Sequence, residues 1–293
     1  MTQQFYSGPV AVTGATGAQG GATVRALLRA GLPVRALTRS PQSPAAAELR
    51  ELGAEVVQAD FSDQDSLRVA LTGAGALFAM STPFGTDLAT ETAQGIGLLD
   101  AAVAGGTVRY VVFTSATNAD RSTGIPHFDS KQVIERHLAT LGLAWTVLGP
   151  GAFMENYAGD WTLESLREGV FALPMPGDSP LPVVAADDIG AFAALALAQP
   201  ERFAGRRIDL ASQWRTPVQL AAAISAASGR EIVHREVPLA EVEGYSPDLA
   251  AMFRYMQEVG LEVDVEELHR DHPEVDWHTM EGWAAARTWD LAG

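Results

Sequence analysis

The stretch Val12-Thr13-Gly14-Ala15-Thr16-Gly17-Ala18-Gln19-Gly20-Gly21 decides the fold. It joins an apolar, strand-like run at residues 9–13 to a helix-length segment at 17–30. Its glycines at 14, 17 and 20 suit a turn that bends tightly, exposes its backbone and lets a helix pack closely on a strand. Free N–H groups at the start of such a helix face phosphate groups. The segment therefore predicts a turn that binds the phosphates of a dinucleotide; the alternative is a glycine-rich turn without a ligand.

Strand-like and helix-like segments alternate through the first half of the chain. The predicted strands are residues 9–13, 32–38, 55–59, 76–80, 110–114 and 144–148, and helix-like segments such as 17–30, 45–52, 91–104 and 130–141 separate them. Because a parallel connection needs a crossover, usually a helix, this order implies parallel pairing. Strands that are apolar throughout are typical of a sheet covered on both faces. The prediction is an α/β fold with a doubly wound parallel sheet, whose ligands bind beyond the carboxyl ends of the strands.

The regular alternation of strand-like and helix-like segments ends at Pro150. The chain there predicts a helix at 189–198, a strand at 208–210, a helix at 218–227, a strand at 232–237 and a mostly helical tail at 238–293. We therefore expect a dinucleotide-binding part, residues 1–152, and a smaller C-terminal α/β lobe, residues 153–293, that binds a substrate or effector. The two parts are expected to interleave around one cleft.

Composition excludes several classes of protein. The 293 residues include 20 basic and 36 acidic side chains, which give a formal net charge of −16 without a basic run. This charge argues against nucleic acid and anionic membrane as partners. The absence of cysteine excludes disulfides, thiolate zinc sites and cysteine nucleophiles. Residues 1–9 lack the features of a signal peptide, and no segment resembles a membrane span, so we expect a cytoplasmic protein.

The end of the second predicted strand indicates which dinucleotide binds. Sites that prefer NAD place a carboxylate there, but this chain has Thr38-Arg39-Ser40 and no carboxylate from residue 32 to residue 47. The Arg39 guanidinium offers a forked donor to a 2′-phosphate, so we expect a preference for NADP(H). The alternative is an ordinary surface arginine. Asp60 and Phe61, after the third strand, are candidates to flank the adenine, and Asp60 is equally a candidate to cap the following helix.

Several segments together resemble one family. The glycine loop is accompanied by Val34-Arg35-Ala36-Leu37-Thr38-Arg39 and by two segments on the active-site side, His127-Phe128-Asp129-Ser130-Lys131 and Phe153-Met154-Glu155-Asn156-Tyr157. On these segments the chain resembles the NmrA-like family, atypical members of the short-chain dehydrogenase/reductase superfamily. Met252-Phe253-Arg254-Tyr255 resembles a tail motif of that family's NADPH-sensing branch. The resemblance spans nearly the whole chain.

The resemblance implies NADP(H) binding on a Rossmann-like domain, with a small C-terminal lobe over the nicotinamide. Arg39 would hold the 2′-phosphate, and Lys131 would reach the nicotinamide ribose. Ala93 departs from the sensing branch, which has a further cofactor-contacting lysine there, so the resemblance does not fix the cofactor affinity. The remaining implied contacts are Gly14, Ala15, Thr16, Gly17, Ala18 and Gln19 to the pyrophosphate, Ser81 and Thr82 along the cofactor, and Phe153, Glu155 and Asn156 at the nicotinamide end.

The candidate catalytic residues depart from the usual short-chain reductase pattern. A typical short-chain reductase uses Tyr-x-x-x-Lys, in which the tyrosine donates a proton, but here His127 stands at the tyrosine position, four residues before Lys131. The two share a helix face if the helix extends back to His127, and histidine can act as a general acid near neutral pH. The alternative is a polar surface histidine and a solvated helix lysine. Tyr157 and Ser115 are further candidate proton donors.

No metal site is expected. The histidines of the tail, His269, His272 and His278, lie near Asp271 and Glu274, but their spacing fits no closed zinc site. A solvated polar segment that interrupts the helical tail accounts for these histidines better.

Two functions follow from these residues. The leading hypothesis is an NADPH-dependent reductase of a small, apolar carbonyl, quinone or imine-like substrate, in which His127 or a water supplies the proton and Lys131 orients the ribose. The alternative is a non-catalytic NADPH/NADP⁺ sensor that acts through a protein partner, because the usual tyrosine is absent. An acidic scaffold with a vestigial fold is a weaker third hypothesis, because the cofactor residues are intact. The sequence does not identify the substrate, and it is compatible with a homodimer.

Overall fold

The computed structural model describes residues 5–82 and 86–291. Residues 1–4 at the N-terminus, residues 83–85 and the last two residues of the predicted tail, 292–293, lie outside the described ranges. In chain order the strands are β1 (Val10–Val12), β2 (Val34–Thr38), β3 (Glu55–Gln58), β4 (Ala76–Met80), β5 (Tyr110–Thr114), β6 (Ala144–Pro150), β7 (Ala152–Phe153), β8 (Val170–Leu173), β9 (Leu181–Val184), β10 (Arg206–Leu210), β11 (Gln213–Arg215) and β12 (Val233–Glu236). The helices are α1 (Ala18–Arg29), α2 (Pro44–Glu51), α3 (Gln64–Leu71), α4 (Leu88–Ala104), α5 (Pro126–Thr140), α6 (Asp160–Arg167), α7 (Ala186–Ala198), α8 (Pro200–Phe203), α9 (Pro217–Ser228), α10 (Leu239–Tyr245), α11 (Pro247–Glu258), α12 (Val265–Asp271) and α13 (Met280–Ala285). None of the helices in the described ranges could cross a membrane, because none combines enough length with enough apolar character.

The central sheet contains seven parallel strands among the described residues, in the order β10-β6-β5-β4-β1-β2-β3. Val10 of β1 pairs with Val34 of β2 on one side and with Ala76 of β4 on the other. The six strands predicted for the first half of the chain all lie in this sheet. The predicted α/β fold with a doubly wound parallel sheet is therefore confirmed.

Side chains on the strands alternate between two cores. Val10 and Val12 belong to the core that α1 and α7 complete, whereas Ala11 belongs to the core that α3, α4 and α5 complete. All three side chains are fully buried. Because successive side chains of a strand point to opposite faces, a strand covered by helices on both faces is apolar at every position.

The chain after residue 152 contributes both to the central sheet and to a smaller lobe. β10 forms an edge of the sheet, and α7 packs on α1, where Gly190 permits a close approach. A Cβ at Gly190 would lie 2.5 Å from the carbonyl carbon of Ala22. The smaller lobe consists of the sheet β11-β9-β7, the pair β12-β8 and helices such as α9 and α13, with a core of its own. A boundary between residues 152 and 153 stays a prediction.

Three helices begin at least three residues earlier than the sequence predicts. α5 begins at Pro126 rather than at residue 130, because proline is favoured in the first turn, where its missing N–H costs nothing. α4 begins at Leu88, after Asp87 caps it. α7 begins at Ala186, whose N–H donates to the distant Glu155 carboxylate at 3.0 Å. The early start of α5 places His127 and Lys131 on one helix.

Candidate functional site

The strand order of the central sheet reverses between β1 and β4, and the crevice beyond their carboxyl ends is where such folds bind ligands. Most of the predicted cofactor residues follow the strands that end at this edge. The glycine loop follows β1, Arg39 follows β2, Asp60 and Phe61 follow β3, and Ser81 and Thr82 follow β4. The fold therefore brings one end of each strand, with its predicted residues, to a common edge.

The backbone of the glycine loop fits a phosphate. Gly14 has a φ of +60°, which other residues rarely adopt, and a Cβ there would lie 2.9 Å from the Met80 sulfur. Gly17 is the N-cap of α1 and makes no side-chain cap. The N–H groups of residues 18–20 have no acceptor in the described part of the chain. Free N–H groups at the positive end of a helix dipole suit a pyrophosphate.

The side chains of the loop divide between the core and the crevice. Ala15 is buried beneath the loop, and Thr16 and Ala18 are exposed. Gln19 accepts a hydrogen bond from the Thr114 hydroxyl at the end of β5, with 3.0 Å between Oε1 and Oγ1. Because β4 lies between β1 and β5, the Gln19 side chain spans the crevice.

Arg39 is exposed at the end of β2, and its guanidinium makes no ion pair or side-chain hydrogen bond within residues 5–82 and 86–291. A guanidinium without a protein partner can bind a phosphate without first breaking an ion pair. It lies next to the end of β3, since Thr38 of β2 pairs with Gln58 of β3. The position fits a 2′-phosphate, and that contact stays a prediction.

Asp60 forms a turn at the end of β3. Its carboxylate accepts from the Ser62 N–H at 2.9 Å and from the Ser62 hydroxyl at 2.7 Å. These two hydrogen bonds and, more weakly, the charge of Arg39 hold the pKa of Asp60 below its ordinary value. Asp63, rather than Asp60, caps α3, so the capping alternative for Asp60 is wrong. Phe61 is half-buried against the core beneath α3 and α4, and the adenine contacts of Asp60 and Phe61 stay a prediction.

Lys131 lies at the centre of a buried polar cluster. Its ammonium donates to Glu91 Oε1 at 2.8 Å, to the Ser81 carbonyl oxygen at 3.1 Å and to Ser81 Oγ at 3.3 Å. Glu91 also accepts from the hydroxyls of Ser81 at 2.9 Å and Ser130 at 2.7 Å. Lys131 is 8% exposed and Glu91 is fully buried. The solvated-lysine alternative is therefore wrong, and a ribose contact of Lys131 stays a prediction.

Glu91 is a site residue that the predictions from sequence omit, although the sequence carries a signal for it. Glu91 lies on α4 in register with Gly95, Leu98 and Leu99, which are four, seven and eight residues later and all buried. Residues at this spacing share one helix face. A carboxylate in the apolar stripe of a helix needs a buried partner, and only the fold reveals that the partner is Lys131.

His127 is bound by a residue of the tail. Its Nδ1 lies 2.8 Å from Asp248 Oδ2, and its backbone N–H donates to Asp248 Oδ1 at 3.1 Å. The ring also packs edge-on against Phe128, with 4.8 Å between ring centroids. Asp248 belongs to α11, 121 residues further along the chain, so its contact with His127 depends on the tertiary fold. His127 and Lys131 share α5, but their polar partners lie on different elements.

Part of the segment 153–157, which is predicted to lie at the nicotinamide end, makes its contacts with the C-terminal lobe. Glu155 Oε1 accepts from Trp283 Nε1 at 2.9 Å and from Arg287 Nη2 at 3.0 Å. Its other oxygen accepts from the first N–H of α7. Phe153 is half-buried at the end of β7, and Asn156 is exposed. Within the described chain the Glu155 carboxylate holds α13 and α7, and cofactor contacts of Phe153, Glu155 and Asn156 stay a prediction.

The two other candidate proton donors lie in different surroundings. The Tyr157 hydroxyl is buried in the core of the lobe and has no hydrogen-bond partner among the described residues, and burial raises the pKa of Tyr157 above its ordinary value of 10.0. Its ring packs edge-on against Phe171. Ser115 donates to Glu135, which also accepts from Arg207 at 3.3 Å. Burial raises the pKa of Glu135, and the charge of Arg207 opposes this shift.

The histidines of the tail take separate partners. His272 Nδ1 lies 2.9 Å from Arg202 Nη2, and His278 is bound to Asp188. His269 stacks on Trp277, with 4.6 Å between ring centroids. Residues 5–82 and 86–291 contain no group of three or more histidine, cysteine, aspartate or glutamate side chains that could hold a metal ion.

Comparison with known proteins assigns the family. The model of the NmrA-like family matches residues 7–284. The chain belongs to the NmrA-like family. The assignment agrees with the resemblance of the glycine loop, the His127–Lys131 segment and the 153–157 segment.

The proteins that resemble this chain carry names that indicate different functions. An NmrA-like family domain-containing oxidoreductase of Aspergillus versicolor is 33% identical over 71% of this chain, and the match spans 65% of that relative's length. The nitrogen metabolite repression protein of Emericella nidulans is 29% identical over 86% of this chain and 75% of its own length. The structure of an NADPH-dependent quinone oxidoreductase of Escherichia coli superposes with a TM-score of 0.75, at 26% identity, over 94% of this chain and 98% of that one.

Proposed function

We propose that this protein is an NADP(H)-dependent reductase of a small, apolar carbonyl, quinone or imine-like compound. One observation carries the proposal: the N–H groups at the start of α1 and the guanidinium of Arg39 have no acceptor in the part of the chain that the structure describes, and they lie at the ends of adjacent strands. Together they fit the pyrophosphate and the 2′-phosphate of one dinucleotide. The likeness to an NADPH-dependent quinone oxidoreductase supports the same cofactor and reaction class.

The protein residues divide the binding of NADPH between them. The N–H groups of residues 18–20 bind the pyrophosphate, and Arg39 binds the 2′-phosphate. Asp60 and Phe61 flank the adenine, and Ser81 and Thr82 follow along the crevice. A bound NADPH supplies a hydride, and the reduced substrate then needs one proton.

Substrate and proton meet at the far end of the crevice. In this proposal Lys131 orients the ribose there, and Phe153, Glu155 and Asn156 contact the nicotinamide end. The apolar side chains of the 153–157 segment are Phe153, Met154 and Tyr157. Met154 and Tyr157 are almost wholly buried in the lobe core, so Phe153 carries the preference for an apolar substrate. His127, held by Asp248, or a water supplies the proton.

The alternative is a non-catalytic sensor of NADPH and NADP⁺ that acts through a protein partner. The observation that favours it is the engagement of both candidate catalytic side chains, because His127 binds Asp248 and Lys131 binds Glu91. The likeness to a nitrogen metabolite repression protein supports it too. The cytoplasmic location and a homodimer belong to either proposal and remain to be measured.

Removal of the Arg39 guanidinium tests the cofactor. We expect Arg39→Ala to weaken NADPH binding by roughly 10- to 100-fold, the range expected for a lost charge-assisted contact, and to leave NADH binding unchanged. Arg235→Ala, an exposed arginine on β12, is the matched control. Isothermal titration calorimetry measures the NADPH and NADH affinities of the wild type and of both variants. Wild-type protein that binds NADH as tightly as NADPH contradicts the proposal.

Turnover separates the reductase from the sensor. NADPH oxidation is followed across a panel of aldehydes, quinones and imines, with Lys131→Ala as the variant. Turnover that Lys131→Ala abolishes supports the reductase. Absence of turnover, with tight binding that discriminates NADPH from NADP⁺, supports the sensor.

A further inference from the structure

We propose that Glu91 is a positioning residue that places the Lys131 ammonium for the nicotinamide-ribose half of the cofactor. The inference rests on the proposed function, because it needs a dinucleotide in the crevice. Glu91 does not itself touch the cofactor in this proposal; it acts through Lys131.

Glu91 joins the three elements that surround the Lys131 amine. The carboxylate lies on α4, accepts from Ser130 and Lys131 of α5, and accepts from Ser81 at the end of β4. No part of Glu91 is exposed to solvent. A carboxylate with three donors from two other elements has little freedom to move, and it fixes the ammonium at the carboxyl end of β4.

The Lys131 ammonium keeps one replaceable contact. Its contacts to Glu91 Oε1 at 2.8 Å and to the Ser81 carbonyl at 3.1 Å lie within the usual range for an N–H···O hydrogen bond, whereas the 3.3 Å contact to Ser81 Oγ lies beyond it. Ser81 Oγ has its own bond to Glu91, so it does not depend on the lysine. A ribose hydroxyl can therefore take the third N–H without displacing Glu91.

The packing of α4 on α5 sets the distance between the two charges. Gly95, one turn after Glu91, faces Ile134 of α5, and a Cβ on Gly95 would lie 2.4 Å from Ile134 Cδ1. The glycine therefore lets the two helices approach closely at the turn next to the ion pair. Glutamate and lysine reach each other across this short gap.

Stability alone gives a weak reason for the pair. Removing a carboxylate and an ammonium from water costs free energy that their attraction often fails to repay, and apolar residues of similar size are often as stabilising. A buried ion pair at the edge where the cofactor binds is therefore better explained by a demand on the position of the ammonium.

Paired variants and paired ligands test the proposal. The variants are Glu91→Gln, Lys131→Met and the double variant, with Glu164→Gln, an exposed glutamate of α6, as the matched control. Each is titrated with NADPH and with 2′,5′-ADP, which carries the 2′-phosphate but no nicotinamide ribose. Urea unfolding gives the folded fraction of each variant. The double variant guards against misfolding of Glu91→Gln, because it leaves no unpaired buried charge.

We expect Glu91→Gln and Lys131→Met each to weaken NADPH binding about tenfold or more, the size of one lost hydrogen bond to a charged group. The double variant should bind NADPH no more weakly than Lys131→Met alone, because the two residues act as one unit. Binding of 2′,5′-ADP should stay unchanged in all of them.

Other results overturn the proposal in distinguishable ways. If folded Glu91→Gln binds NADPH with wild-type affinity, Glu91 does not position Lys131. The same conclusion follows if the losses of NADPH affinity in the two single variants add up in the double variant. Parallel weakening of both ligands indicates a general structural role instead. A wild-type protein that binds neither ligand refutes the proposed function itself.

Discussion

Gly20 is the most tightly confined residue of the glycine loop. A Cβ at this position would lie 2.2 Å from the Gly14 carbonyl oxygen and 2.8 Å from the Thr13 carbonyl oxygen. Both atoms belong to the backbone, which cannot rotate away as a flexible side chain can. Any larger residue would therefore separate α1 from β1 and displace the free N–H groups at the start of α1.

We expect Gly20→Ala to lower the free energy of unfolding by about 1–3 kcal/mol, the usual cost of overpacking, and to weaken NADPH binding. Gly244→Ala is the matched control, because nothing lies within 4 Å of a Cβ there and the residue is exposed on α10. Urea unfolding and calorimetric titration give the two quantities. Gly20→Ala protein with the stability and the affinity of the control would refute the packing argument.

Residue roles that depend on local geometry could be predicted from the sequence, and those that depend on distant partners could not. Gly14 and Gly17 follow from their spacing, because a tight turn before a helix restricts the residue type directly. The partner of Lys131 lies 40 residues away, and Trp283 lies 128 residues from Glu155. Such pairs exist only once helices have packed, so a single sequence gives the side chain but not its contact.

At the scale of elements, the first turn of α7 connects the tail to the sheet. Asp188 is 1% exposed and accepts from the backbone N–H of His278 at 3.0 Å, and its carboxylate also binds the His278 ring and the Ser212 hydroxyl. Glu155 binds the N-terminal N–H of the same helix. One helix end therefore holds the connection between β10 and β11, Glu155 and the residues just before α13.

The contact between Asp188 and His278 should depend on pH. Burial alone would lower the pKa of His278, but its hydrogen bond to Asp188 and the negative charges of Asp188, Asp187 and Asp276 outweigh burial and raise it above 6.5. A raised folded-state pKa means that this contribution to stability is complete below the unfolded-state pKa near 6.5. It is lost as the pH rises through the folded-state pKa.

We therefore expect the difference in free energy of unfolding between wild type and His278→Ala to shrink as the pH rises from 5.5 to 8.5. The pH-dependent part should be below about 1 kcal/mol, because the side chain is 41% exposed and solvent screens the charges. Urea unfolding at several pH values measures it. His272 has a lowered pKa and gives the opposite trend, so His272→Ala is the control. A constant difference would contradict the linkage.

At the scale of the molecule, the sheet could be predicted because hydrophobic pattern and strand–helix order are properties of the whole chain. Six strands and the helices between them are visible in the sequence, and parallel pairing follows from the crossovers. The return of the chain to the sheet is harder to predict, because β7, β8, β9 and the helices α6 to α8 lie between β6 and its neighbour β10. Nothing local to residues 206–210 specifies β6 as their neighbour.

The interleaving of sheet and lobe predicts one cooperative unit. Val24 and Leu27 of α1 share a core with Ile189 and Phe192 of α7, and all four are fully buried. A fragment of residues 1–152 would expose this face of the sheet to water and leave β6 as an edge strand. We expect such a fragment to lack a cooperative urea transition, because burial of apolar surface is the main driving force of folding.

The intact chain should unfold in a single transition, with the same midpoint by far-UV circular dichroism and by tryptophan fluorescence, because Trp145 reports on β6 and Trp283 on α13. A fragment of residues 1–212 restores α7 and β10, so it should regain part of the sheet signal that residues 1–152 lack. Two separate transitions in the intact chain, or cooperative unfolding of residues 1–152 alone, would mean that the shared core contributes little. The dinucleotide-binding part would then be an independent domain, and the covering of α1 by α7 would be a docking contact between two folded bodies.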